Sequence, residues 1–148
     1  METRALQTDT LTLSWCSEKK ELREVLKLRK LCFPNAHGVL SEADLSARHL
    51  VVRNGLGIIV GAYRVTLSSD VTRFEAEDDF VITKFVRKSG MKAELAWACV
   101  HPEYRDGRAI RLLWRGLSEF LKANNVRFVF GLASITSEGS EELLEIIG

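Results

Sequence analysis

One carboxylate set inside an apolar run is the most chemically suggestive residue of this chain. Glu94 lies in MKAELAWACV, from Met91 to Val100, with Leu95 and Ala96 beside it. Burial among such neighbours raises a carboxyl pKa toward neutrality, so Glu94 is a candidate to take a proton directly or through a water. The plainer alternative is a solvent-facing strand residue paired with a lysine. Further along, Arg105, Arg108, Arg111 and Arg115 recur at helix-start spacing, where guanidiniums can hold phosphate or an acidic protein surface, or simply solvate a helix. The window from Lys84 to Arg115 carries eight Lys or Arg against three Asp or Glu. Arg29 and Arg64 can steer a substrate carboxylate or cover a helix or strand edge.

Other chemistries find less support. The three cysteines, Cys16, Cys32 and Cys99, form no CxxC pair and have no histidine at ligand spacing, so no metal site and a reduced, cytoplasmic setting are expected. Cys99 has no visible partner base, and a free cysteine on a buried strand is most often a small core residue. His49 begins a strand and reads as a packed or hydrogen-bonded histidine, while His37 and His101 belong to loops. A formal net charge of +1, with 46% hydrophobic and 28% charged residues, gives no reason to expect nucleic acid as a partner. No run approaches the ~20 apolar residues of a membrane span, and the amino terminus lacks the pattern of a secretory signal.

The elements that must position these residues can be read from periodicity. The length of 148 residues and the absence of repeats, low-complexity tracts and proline-rich linkers predict a single domain over residues 1–148. Leu11 and Leu13 alternate as in a short strand. Ser17 offers a cap to a helix carrying Leu22, Val25, Leu26, Leu28, Arg29 and Phe33, which Pro34 stops. Ser41 caps a short helix over about Glu42 to Arg48, with Asp44 three residues on as in a capping box. His49 to Arg53, the tight-turn signal Asn54-Gly55, and GIIVGAYRVTL predict a β-hairpin. An acidic loop from Asp70 to Asp79 and a helix over Phe80 to Lys88 follow. The strand Met91 to Val100 precedes a helix over about Gly107 to Ala123, whose apolar face is Ile110, Leu113, Trp114, Leu117, Phe120 and Leu121. RFVFGLA reads as a buried strand and Ser137 to Ile147 as a last, acidic helix. Strand, helix, strand makes a right-handed βαβ unit, hence an α/β fold with a mixed central sheet and helices on both faces.

Several residues recur in a recognisable order: Arg29 and Phe33 in LRKLCF, Asp44, His49-Leu50, Arg64 in GAYR, Glu94 to Gly116 (ELAWACVHPEYRDGRAIRLLWRG), Phe130-Gly131 and Ala133-Ser134. Together they resemble the GNAT-fold N-acyltransferases, in the hemolysin-like and ornithine-lipid-synthase group that includes N-acyl amino acid synthases, with acyl-homoserine-lactone synthases as distant relatives. The resemblance implies an enzyme that moves an acyl group from an acyl carrier protein or coenzyme A thioester onto the amine of an amino acid or related metabolite, with no tightly bound cofactor. It places Glu94 as the catalytic carboxylate. Ala98, Cys99, Val100, Arg105, Arg108 and Arg111 fall on the donor side, the first three through backbone groups that hold the oxyanion and pantetheine arm. Arg29, Phe33 and Arg64 fall on the acceptor side, and Trp114 reads as core or as the lining of an acyl tunnel. Acetyl-CoA enzymes of the fold carry Arg/Gln-x-x-Gly-x-Gly/Ala at this helix start; counted from Arg105, YRDGRAI puts Arg108 where the first glycine stands, which points to a carrier protein as donor. Trp97 occupies a position where the relatives usually place an arginine, and the chain stops soon after Ser134, where they continue with further strands. A domain that keeps the fold as a binding or scaffold module is the alternative reading.

Overall fold

The computed structural model describes residues 10–35, 40–74 and 89–131. Their elements are β1 (Thr12–Trp15), α1 (Lys19–Cys32), α2 (Glu42–Ser46), β2 (Arg48–Arg53), β3 (Ile59–Leu67), β4 (Met91–Val100), a 3₁₀ turn (Pro102–Tyr104), α3 (Arg108–Ala123) and β5 (Val126–Gly131). They form one five-stranded sheet in the order β1-β2-β3-β4-β5, the first four strands antiparallel and β4–β5 parallel. The mixed α/β sheet expected from the βαβ pattern is therefore the observed one, and α3 is the crossover that lets β5 run parallel to β4. The helix expected over Phe80 to Lys88, the acidic helix from Ser137 and the end of the last strand beyond Gly131 lie outside the described residues.

Side chains alternate across the sheet and divide it into two layers. Leu50, Val52, Val60, Val65, Leu67 and Ala93 pack on Ala109, Leu113 and Leu117 of α3. Val51, Ile59, Ala62 and Cys99 pack on Val25 and Leu28 of α1. The helices thus cover opposite faces, and Gly116 lets α3 approach closely, since a Cβ there would stand 2.6 Å from a Leu13 methyl. Trp114 departs from its expected place in the core. It is 65% exposed, because the stripe that α3 buries runs through Ala109, Leu113, Gly116 and Leu117 and leaves position 114 on the shoulder.

Three boundaries differ from the sequence reading for local reasons. Helix α1 is capped by Glu18, not Ser17, because Glu21 reaches back to both amides and closes a capping box with Glu18. The box of Ser41 and Asp44 is formed as expected, but α2 ends at Ser46 and β2 begins at Arg48. The hairpin turn is longer than Asn54-Gly55 suggests. Asn54 Oδ1 accepts from the amides of Leu56 and Ile58, Gly57 takes φ +81°, and β3 starts only at Ile59. Asn54 Nδ2 donates to the Tyr104 hydroxyl at 3.0 Å, which ties the turn to the approach of α3.

Leu113 is fully buried between α3 and the sheet. Leu113→Ala should cost about 2–5 kcal/mol and lower the melting temperature by roughly 5–15 °C in a calorimetric scan.

Candidate functional site

On the α1 side, the apolar packing gives way to a column of buried polar residues. Val65 and Leu67 turn toward α3, so Arg64 and Thr66 turn toward α1 and α2; Ala93 turns toward α3, so Lys92 and Glu94 turn the other way. Arg64 and Glu94 are each 1% exposed, Asp44 2%, and Arg29 and His49 4%. Charges buried this deeply need partners, and here they supply one another. Arg29 Nη1 donates to both carboxylate oxygens of Asp44, at 3.1 and 3.2 Å, and Arg64 Nη1 donates to Asp44 Oδ1 at 2.9 Å. On its other side Arg64 Nη2 stands 3.8 Å from Glu94 Oε1. His49 Nε2 lies 2.7 Å from the Asp44 carbonyl; since a carbonyl only accepts, Nε2 carries the proton.

The protonation states follow from these contacts. Burial pushes the Asp44 carboxyl upward, but the Ser41 amide and the guanidiniums of Arg29 and Arg64 outweigh it and hold the group below the ordinary carboxylate range. Burial pushes the His49 imidazole down against the opposing hydrogen bond to Asp44, so the ring is neutral near pH 7.

Strand β4 changes character three residues past Glu94. The ladder with β3 shifts register between Arg64↔Ala96 and Ala62↔Cys99, leaving Trp97 and Ala98 opposite Tyr63 alone. Trp97 takes φ +57°, a conformation that costs a bulky L-residue of order 1–3 kcal/mol. Its ring lies over the Arg29 guanidinium, 4.5 Å from the centroid, and meets Phe33 edge-on at 5.5 Å. The tryptophan that stands where the relatives usually place an arginine is thus half-buried and covers Arg29. The β4–β5 ladder ends at Leu95↔Gly131. From Ala96 to Val100 the outer edge of β4 therefore has no partner strand among the described residues.

The residues expected on the donor side lie where this edge meets α3. Ala98 is exposed at the bulge, and the Val100 carbonyl accepts from Arg105 Nε at 2.9 Å and from the Cys32 thiol at 3.4 Å. Cys99 points into the α1 layer; burial first and Cys32 second push its thiol up to about 12, so it stays protonated and is no nucleophile. Gly107 enters α3 at φ +99°, and the Asp106 carboxylate then accepts from both the Arg108 amide (3.1 Å) and Arg108 Nε (2.9 Å). A carboxylate of the chain itself therefore occupies the first amide of the helix. Arg111 and Arg115, with Arg108, Leu11 and Leu112, line a groove of about 430 Å³ on the outer side of α3. Neither Arg111 nor Arg115 has an ion-pair partner among the described residues.

The sequence singled out Arg29, Phe33, Arg64 and Glu94 separately; the structure joins all four. It places Arg29 and Arg64 against Asp44 in the interior, whereas a role in steering a substrate carboxylate asks for a guanidinium that can reach solvent. Asp44 is the residue that site reasoning missed. Its capping-box position was legible, and its charge had no assigned partner. No group of three or more His, Cys, Asp or Glu that could hold a metal ion occurs among the described residues, and no helix among them is long and apolar enough to cross a membrane.

Comparison with known proteins agrees with this fold. The sequence model described as acetyltransferase (GNAT) domain matches residues 39–115. An L-ornithine N(alpha)-acyltransferase of Rhodobacter capsulatus is 35% identical over 80 residues, which cover 51% of this chain and 30% of that protein. Its counterpart in Brucella abortus is 32% identical over 81 residues, covering 51% and 29%. The aligned region thus spans less than a third of the length of these curated relatives. Among solved structures, FeeM, an N-acyl amino acid synthase from uncultured soil microbes, superposes with a TM-score of 0.72 over 93% of this chain and 77% of its own, at 11% identity. An aminoglycoside N-acetyltransferase solved in complex with CoA gives a TM-score of 0.60 over 95% and 88%, at 15% identity. At such identities these structures speak for the fold.

Because the Asp44 pKa is lowered on folding, the stability it contributes is complete above its unfolded value near 3.9 and is lost as pH falls through the lower folded value. Asp44→Asn keeps the shape but leaves two buried guanidiniums without their counter-charge. It should cost about 3–5 kcal/mol at pH 7 and remove this part of the acid-side decline, both measurable by urea titration between pH 7 and pH 3.

Proposed function

The chain belongs to the acetyltransferase (GNAT) domain family, and from that premise we propose that it is an N-acyltransferase domain that moves an acyl group from a thioester to the amine of an amino acid or related metabolite. The observation that carries this reading is the conjunction on β4: a buried carboxylate at Glu94, a bulge three residues later, and an outer edge that from Ala96 to Val100 has no partner strand among the described residues. Such an edge offers backbone amides and carbonyls to the amide-bearing arm of a thioester donor, and an amide at the bulge to its carbonyl oxygen as negative charge develops there. The amine nitrogen adds to the thioester carbonyl, the new N–C bond replaces the C–S bond, and the sulfur leaves as the thiol. Glu94, through a water, takes the proton that the amine must lose before attack.

In this reading Phe33 and Trp97 wall the acceptor side. Arg29 and Arg64 act by positioning, since both face Asp44, and Arg64 carries that constraint to Glu94. The ornithine acyltransferase relatives favour an amino acid as acceptor. Incubation with carrier-bound and coenzyme A thioesters and a panel of amino acids, followed by mass detection of N-acylated products, tests the activity. Glu94→Gln should lower its rate by ~100-fold or more. Absence of product with every donor would instead favour a binding module that keeps the fold.

For the donor we propose an acidic carrier protein over free coenzyme A. Asp106 already sits on the first amide of α3, where a pyrophosphate would need it, and repels a second anion. The groove of Arg111 and Arg115, beside the exposed Trp114, has the arginine and tryptophan content of a protein-binding surface. Reversing Arg111 and Arg115 to glutamate should weaken carrier-protein binding by about 10-fold or more at low salt while leaving the melting temperature nearly unchanged. Equal use of coenzyme A and carrier-bound thioesters by the unaltered protein would overturn the donor assignment.

A further inference from the structure

Directly across the β3–β4 ladder from Glu94 stands Thr66. Its hydroxyl oxygen is buried and has no hydrogen-bond partner, although buried polar side chains are satisfied in the large majority of folded proteins. Thr66 is 4% exposed and Glu94 1%, and both turn to the same face of the sheet. Side chains directly opposite in an antiparallel pair have their Cβ atoms about 4.5–5.5 Å apart, which puts a threonine hydroxyl that makes no direct bond within the span of one water from the facing carboxylate. The chemistry is complementary: the hydroxyl has one rotatable donor, and an ionised carboxylate accepts only. Charged and titratable groups on this face include Arg64 at 3.8 Å from Glu94, Asp44, Arg29 and His49 beyond it, and Lys92, whose ammonium donates to the Gly90 carbonyl at 3.2 Å. None of these gives the Thr66 hydroxyl its bond.

We propose that Thr66 is a positioning residue, its hydroxyl donating to the Glu94 carboxylate through one buried water and so setting the carboxylate's orientation and proton affinity. With Arg64 on one flank and Thr66 opposite, the carboxylate is held from two directions. The catalytic consequence rests on the reading of Glu94 as proton acceptor; the hydrogen bond itself does not.

The test needs no substrate. In protein carrying ¹³C in its glutamate side-chain carboxyls, the Glu94 signal is identified by its loss in Glu94→Gln and followed through a pH titration. Thr66→Val, which keeps the shape and removes the donor, should raise the Glu94 midpoint by about one unit, because a hydrogen bond to the charged form is lost. Thr66→Ser should restore the original midpoint, and Thr66→Ala provides the comparison if valine prevents folding. A Glu94 signal that behaves identically in the unaltered protein and in the variant without the hydroxyl, including one that does not move over the folded pH range, overturns the proposal. Failure of the enzyme reading is separately visible as absence of acylated product, whatever the titration gives.

Discussion

The Asp44 carboxylate lies between the guanidiniums of Arg29 and Arg64, all three withdrawn from water, and the candidate site is arranged around that contact. Removing such charges from solvent is expensive, and only close geometry offsets it. Arg29 comes from the last turn of α1, Asp44 from the first turn of α2 and Arg64 from the middle of β3, so the contact fixes three elements with respect to one another. The capping box of Ser41 and Asp44 adds a further constraint, because the same carboxylate closes the start of α2. A hydrophobic cluster in this place would hold the elements together but would not fix where Glu94 points. The charged one places Arg64 beside Glu94, 3.8 Å away.

Strand β4 has two tasks that conflict. Toward β3 it must remain in register to complete the sheet; past Leu95 it leaves the described β5 ladder and must turn the chain into α3. The bulge at Trp97 and Ala98 resolves the conflict by inserting a residue and twisting the strand locally. The left-handed backbone of Trp97 is unfavourable by itself, and its ring recovers part of that cost against Arg29 and Phe33. Those two residues belong to α1 and its end, so the helix that anchors Asp44 also anchors the bulge. Strain and electrostatic network share one support.

The opposite face is simpler. Aliphatic side chains of β2, β3 and β4 meet Ala109, Leu113 and Leu117 of α3, and this packing needs no polar device. The outer side of α3 is therefore free to carry charge, and Arg111 and Arg115 stand there beside Trp114. The fold shared with acetyltransferases at 11–15% identity is maintained by such packing.

The sequence alone determined the elements whose signal is local. The 3.6-residue period of α3, the strand run from Met91 to Val100, the box of Ser41 and Asp44 and the βαβ order follow from nearest-neighbour chemistry, and with them the mixed sheet. It also marked Arg29, Phe33, Arg64 and Glu94, through the resemblance of their order. Only the tertiary structure decided their relation. Asp44 is fifteen residues from Arg29 and twenty from Arg64, and no periodicity says that a helix-capping carboxylate will be drawn inside between two guanidiniums. Nor does a sequence show that Trp97 takes a left-handed backbone, since a bulge depends on the register of the facing strand, or that Trp114 is left on the shoulder of its helix, since that depends on how closely Gly116 lets α3 approach. Local interactions write the elements; the partners of buried charges are chosen only when those elements meet.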